Sequence, residues 1–246
     1  MPIDISTNQL NNVGANVLTY GNIVTDGLVL YLDAGIANSY PGSGTTWTDM
    51  TSGANNGTLI NGPTYSTNNG GYIIFDGTDD RVEVANESNF DFTNAIFTVE
   101  CFFRCVAGTG TSQILINKAR YGVNGRCWEL YLTSGLAINF GTFNTSWTYL
   151  GASWTYSTPI STGQWYHLVV SCNSSNAYMY LNASQVDSRN SMNSTVANIA
   201  DPVEIGGYSG GAALNGYIPL ARIYNKALSA SEVLQNFNAN RRRFNI

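Results

Sequence analysis

Apolar and polar positions alternate most cleanly in "IFTVECFFRC", residues 96–105. Phe97, Val99, Cys101, Phe103 and Cys105 fall on one side; Thr98, Glu100, Phe102 and Arg104 fall on the other. A period of two belongs to a strand, and the wholly apolar side predicts a face turned into a core. "QWYHLVVSC" repeats the pattern, with Tyr166, Leu168, Val170 and Cys172 inward and His167 outward. "GLVLYLDAG" opens a strand at Gly27, with Leu28, Leu30 and Leu32 on one side. "SQILINK", "CWELYL", "LAINFG", "PVEIGGYSGG" and "LNGYIPLARIYN" predict further short strands. "GGYIIFDGTDDRVEV" predicts two strands around a tight Asp76-Gly77 turn, and "AYMYLNASQVD" a hairpin closed by Asn-Ala-Ser. Residues 36–65 are rich in turn residues.

Helical spacing occurs only near the C-terminus, where residues 229–240 predict one short helix. Ser229 is a good N-cap, and Glu232 three residues on completes a capping box. Leu228 and Val233 stand at the positions of a hydrophobic staple. Val233, Leu234 and Phe237 predict the buried stripe. Arg241, Arg242 and Arg243 follow, as helix capping or solvation would place them. Residues 1–26 are polar and Asn-rich, and read as an N-terminal arm, either disordered or ordered against a neighbouring subunit. Residues 27–246 read as a single β-sandwich domain that includes the helix, with no internal repeat and no linker.

Composition narrows the class. Charged residues are 11% of the 246, far below the roughly 25% of ordinary soluble proteins, so solubility rests on Asn, Ser, Thr and Gly. With 15 Tyr, 10 Phe and 5 Trp, the mixture points to an all-β chain with many turns. A net charge of −5 argues against a general nucleic-acid binder, which needs a basic face. No apolar run is long enough for a membrane span, and the N-terminus lacks the basic and apolar regions of a secretory signal. Cys101 and Cys105 lie on one strand about 13 Å apart and cannot bridge each other. All four cysteines are expected as buried free thiols, with no zinc site and a reducing site of synthesis.

The run "FDGTDDRVEV", "FTVECFF", "ILINK", "CWELYL", "STGQWYHLVVS", "MYLNASQV", "EIGGYSGG", "LNGYIPLARIYNKALSASEV" resembles the laminin-G-like, concanavalin A-like jelly-roll modules over about residues 27–240. With "YLDAGIANSYPGSGTTWTD", it looks like the single-domain versions found in virion structural proteins of tailed bacteriophages. The resemblance implies an all-β fold, a two-sheet antiparallel jelly-roll sandwich with a short C-terminal helix. It also implies a role in attachment or particle architecture, located in the virion as a capsid-decoration or tail-associated protein. Many such modules read Gly-x-Ile-Asp-Glu before the Arg-Ile-Tyr block. Here Gly216, Tyr217, Ile218, Pro219, Leu220 and Ala221 stand instead, so the acidic pair is missing.

The chemistry points to binding. Glycoside hydrolases need two carboxylates about 5–9 Å apart, and the closest match to such a pattern is Glu83 and Glu87, between which the chain leaves the strand. His167, the only histidine, has no neighbouring nucleophile and reads as a structural hydrogen-bonding residue. No catalytic residue is therefore expected. Asp76, Asp79 and Asp80 could supply part of a calcium site, though turn chemistry explains them as well and no metal is assigned. "TSWTYLGASWTYS" repeats Ser-Trp-Thr-Tyr. A two-residue turn at Gly151-Ala152 would place Trp147, Tyr149, Trp154 and Tyr156 on one side of a hairpin as an aromatic platform. A turn centred on Gly151 alone would split the pairs between faces. Such a platform suits a protein contact, a glycan, or sheet packing alone. The sequence thus predicts a non-enzymatic virion structural protein. Its partners would be other capsid or tail proteins in an oligomeric or multivalent array. The alternative is a lectin-like adhesin for host surface glycan.

Overall fold

The computed structural model describes residues 22–119, 126–143, 154–190 and 196–246. Its strands are β1 (Leu28–Asp33), β2 (Thr46–Trp47), β3 (Gly57–Ile60), β4 (Thr64–Ser66), β5 (Tyr72–Asp76), β6 (Arg81–Val84), β7 (Ile96–Cys105) and β8 (Gln113–Ala119). They continue as β9 (Arg126–Leu132), β10 (Ile138–Thr142), β11 (Trp154–Tyr156), β12 (Tyr166–Asn173), β13 (Asn176–Leu181), β14 (Ser184–Asn190), β15 (Val203–Ile205) and β16 (Asn215–Tyr224). One helix, α1 (Ala230–Phe244), follows. The first sheet runs β14-β13-β12-β7-β16-β5-β4, with β1 also paired to β16. The second runs β11-β10-β9-β8-β15-β6-β3-β2. All these pairings are antiparallel, and the result is the packed sheets the alternation predicts, arranged as the jelly-roll sandwich the resemblance implies.

The core lies between the sheets. Phe97, Val99, Cys101, Phe103 and Cys105 on β7 and Leu168, Val170 and Cys172 on β12 join one buried cluster with Trp128, Leu130 and Leu132 on β9. Each such side chain contributes about 1.5–3 kcal/mol when fully buried. The four cysteines are free and buried within this layer, and burial pushes the Cys127 thiol up to about 12. In β16, Pro219 has no N–H to give the ladder, and the register with β7 shifts between Tyr217 and Leu220.

The structure departs from the sequence reading in several places. β5 pairs with β4 and β16 in the first sheet, whereas β6 pairs with β3 and β15 in the second. Asp76–Asp80 is therefore a corner between sheets, not a hairpin turn. Local bonds close it: Thr78 N donates to Asp76 Oδ1 and Asp76 N to Asp80 Oδ2. The β13–β14 turn is two residues, Asn182 and Ala183, both at positive φ (51° and 63°), as a type I′ turn demands. The helix extends to Phe244, past the predicted end. Its capping box is present, and Leu228 packs with Val233 as the staple predicts. Leu234, expected in the buried stripe, is 48% exposed. Arg243 is buried and donates to Asp33 Oδ1 at 2.6 Å, fastening the helix end to the end of β1. Residues 22–26, read as part of the arm, pack on the helix: Val24 N donates to Asn236 Oδ1 at 2.8 Å and Tyr224 Oη donates to Val24 O.

Candidate functional site

Of the two described rings of the Trp-Thr-Tyr repeat, Trp154 is buried and Tyr156 is half-buried. Trp147 and Tyr149 lie outside the described residues. Trp154 pairs with Phe140 in β10 and is 2% exposed, inside the core cluster. Tyr156 sits on the same side, half-buried against that cluster. For Trp154 that shared side is the core. Another aromatic group, Tyr72, Trp165 and Tyr217, comes together on the outer face of the first sheet from distant sequence positions. Tyr217 lies between Tyr72, stacked at 4.7 Å, and Arg104, whose guanidinium is 5.8 Å from the ring. Both ring faces are thus engaged within the protein.

The outer face of the first sheet is otherwise closed by α1 over a charged network. Glu100 Oε1 accepts from His167 Nε2 and Arg222 Nη1, both at 2.9 Å, and Oε2 accepts from Asn236 Nδ2 at 2.7 Å. All four residues are fully buried. Burial alone would raise the Glu100 carboxyl; the Arg222 guanidinium, with His167 and Asn236, overcomes this and holds it below its ordinary value. The His167 ring lies between Phe102 and Phe237, with centroids 4.5 and 5.5 Å away. His167 is thus a structural hydrogen-bonding residue that docks the helix.

A continuous polar band crosses the outward face of the second sheet. Strand pairing sets Gly141 opposite Glu129, Glu129 opposite Asn117, Asn117 opposite Glu204, and Glu204 opposite Glu83. Thr58 and Thr46 continue the same row to the far edge. The neighbouring row sets Tyr131 opposite Asn139 and Asn139 opposite Thr155, with Asn139 Nδ2 donating to Thr155 Oγ1 at 2.6 Å. Glu129, Asn117 and Glu204 are buried, whereas Tyr131, Glu83 and Arg81 are half-buried and Thr155 is exposed. Asn117 Oδ1 is buried with no hydrogen-bond partner among the described residues. The Arg81 guanidinium stands between two acids, with Nε 3.3 Å from Glu204 and Nη2 3.9 Å from Glu83. Burial pushes the Glu204 carboxyl up to about 7, against the pull of Arg81. Glu83 and Glu87 do not share a site, because Glu87 turns to the buried Lys118 Nζ at 2.9 Å.

Beside the band is the acidic corner. One carboxylate oxygen each from Asp76, Asp79 and Asp80 lies within 4.8 Å of the others. Asp80 is 4% exposed, and burial raises its carboxyl to about 6, with Asp76 and Asp79 adding to the rise. These are the residues that would hold a calcium ion, supplying some of the six to eight oxygens it takes. Two of them already serve the corner's own hydrogen bonds.

Two stacked antiparallel sheets with a C-terminal helix define a jelly-roll β-sandwich. The chain belongs to the concanavalin A-like lectin/glucanases superfamily, whose Laminin_G_3 profile matches residues 76–234. Among solved structures, the binding domain of Paraclostridial Mosquitocidal Protein 1 is similar, with 18% identity and a TM-score of 0.68, over 87% of this chain and 52% of that one. The binding domain of botulinum neurotoxin serotype D aligns at 15% identity and a TM-score of 0.63, over 86% of this chain and 51% of that one. Trypanosoma rangeli sialidase aligns at 16% identity and a TM-score of 0.65, over 88% of this chain and 33% of that one. The chain thus spans about half the length of the two binding domains and a third of the sialidase, and the likeness is one of fold. Among curated proteins none matches at a significant level.

Proposed function

We propose that this chain is a carbohydrate-binding β-sandwich module that holds a glycan on the outward face of its second sheet without cleaving it. The polar band carries this reading. Its local choices oppose stability: Glu204 is buried opposite a second carboxylate, Glu83, and Asn117 Oδ1 is buried without a partner among the described residues, at a cost of about 1–3 kcal/mol. Several broken local rules on one face mark a surface kept for function. Tyr131, Thr155, Glu83 and Arg81 are the accessible groups, a mixture of aromatic, hydroxyl and charged donors and acceptors that suits saccharide hydroxyls. Glu204 Oε1 accepts from Ser209 N at 3.0 Å and lies beside Arg81, so this oxygen is already partnered within the protein. The similar structures include binding domains of two toxins and a sialidase solved with sialic acid.

The test is a glycan array read with the wild type and with Tyr131→Ala, Thr155→Ala and Glu83→Ala. Retained glycan binding in all three, with melting temperatures unchanged, would remove the band as the site. A role as a virion structural protein displaying this module in many copies is supported by the motif resemblance alone. Mass spectrometry of purified particles that finds no such chain would end it.

A further inference from the structure

A cleft of about 420 Å³ opens at the rim of the sandwich, on elements other than the polar band. It lies where the start of β1, the 51–55 loop, the 3₁₀ turn Glu87–Phe90 and Asn225 meet. We propose that this cleft is a second binding site and takes one neutral saccharide unit. Four observations carry the assignment.

The floor is fixed before any ligand arrives. Asn55 is buried; its Nδ2 donates to Val29 O at 2.8 Å, and its Oδ1 accepts from Asn86 Nδ2 at 2.9 Å and Asn89 Nδ2 at 2.8 Å. Asn55 N donates in turn to the buried Asp49. The loop carries Ala54 at φ 51°, a left-handed conformation that an alanine holds only when its surroundings dictate it.

The opposite wall is equally fixed. Lys118 Nζ, fully buried, donates to Glu87 O and Glu87 Oε2 at 2.9 Å and to Asp91, and so pins the 3₁₀ turn that presents Ser88 and Asn89. Preorganised walls lower the entropic cost of binding.

The lining is polar but uncharged. Ser52, Ser88, Asn89 and Asn225 are exposed on it, and the side chains of Ser52, Ser88 and Asn225 make no hydrogen bond with the described residues. Hydroxyls and amides offer donors and acceptors together, which matches a polyhydroxylated ring and gives a phosphate or carboxylate no counter-charge. Glu87, the acid on the turn, is committed to Lys118.

Leu28 and Val29, both half-buried, supply an apolar strip on one side. A sugar ring has one face of C–H groups to set against such a strip. The volume lies at the small end of the range for ligand pockets, which fits a single saccharide unit.

The experiment is an NMR titration of the whole chain with maltose, lactose and N-acetylglucosamine, and with 3′-sialyllactose as the charged comparator. The proposal predicts amide and side-chain shifts at Ser52, Asn89 and Asn225 with a neutral sugar, weakened about tenfold in Ser52→Ala/Asn225→Ala, as the loss of one or two hydrogen bonds implies. Both residues are exposed, so the double variant tests binding and not folding. Shifts confined to the band overturn this site and leave the carbohydrate-binding reading standing. A response at the cleft to the charged sugar only also overturns it. No response to any saccharide, here or on the array, removes both.

Discussion

Trp154 Nε1 donates a 2.8 Å hydrogen bond to Asp187 Oδ2. The bond joins β11, an edge strand of the second sheet, to β14, an edge strand of the first. It fastens one side of the sandwich beside a buried ring. Asp187→Ala leaves the indole N–H without its acceptor and costs about 1–3 kcal/mol in urea unfolding, whereas Asp187→Asn keeps an oxygen there and loses less. Equal losses for the two variants would show that the bond is not what holds these edges together.

Glu100 is the acceptor for three donors beneath α1. Glu100→Ala strands the Arg222 guanidinium in a buried position and lowers stability by about 3–5 kcal/mol. The helix should loosen first, seen as faster amide exchange across residues 230–244. A loss below about 1 kcal/mol would mean that the network contributes little to docking the helix.

Stability should fall as pH rises from the ordinary carboxylate range to about 7. Glu204, raised to about 7, and Asp80, raised to about 6, bind protons more tightly folded than unfolded. The folded chain therefore holds extra protons in that window, and their loss is destabilising. Glu100 acts in the opposite sense: its lowered value gives stability above its unfolded value that is lost as pH falls through the folded one. A melting-temperature profile across this range should decline towards neutral pH in the wild type and flatten in Glu204→Gln. A wild-type curve that climbs between those limits contradicts the assignment.

Ala183 sits at φ 63° in the β13–β14 turn. A left-handed conformation costs a non-glycine residue roughly 1–2 kcal/mol, so Ala183→Gly should raise stability by about 1 kcal/mol, less the packing lost with the methyl. A lower melting temperature would show that the methyl's contacts outweigh the strain.

Much of this architecture is legible in the chain because local rules decide it. The period of two in β7 fixes which side of Phe97 to Cys105 enters the core, and Ser229 with Glu232 fixes where the helix starts. What escapes the sequence depends on distant partners. Glu100 and Arg222 are 122 positions apart, so the closure of the second face of β7 leaves no local mark. The repeat of Trp and Tyr at alternate positions shows that Trp154 and Tyr156 share a side, but only the pairing of Trp154 with Phe140 decides that the side is the core. The polar band depends on three pairings between strands that are not neighbours in sequence, β8 with β15, β15 with β6 and β6 with β3, so Asn117, Glu204 and Glu83 read individually as unrelated residues. Alternation also leaves open which strand pairs with which, and so β5 and β6 look like a hairpin although they belong to different sheets.

The most direct measurement is a map of backbone and side-chain NMR shifts on adding a glycan selected from the array. Perturbations at Tyr131, Thr155, Glu83 and Arg81, on the outward face of the second sheet, are the expected result. A glycan that binds while perturbing only the helix-covered face of the first sheet, or an array on which nothing binds, would contradict the account.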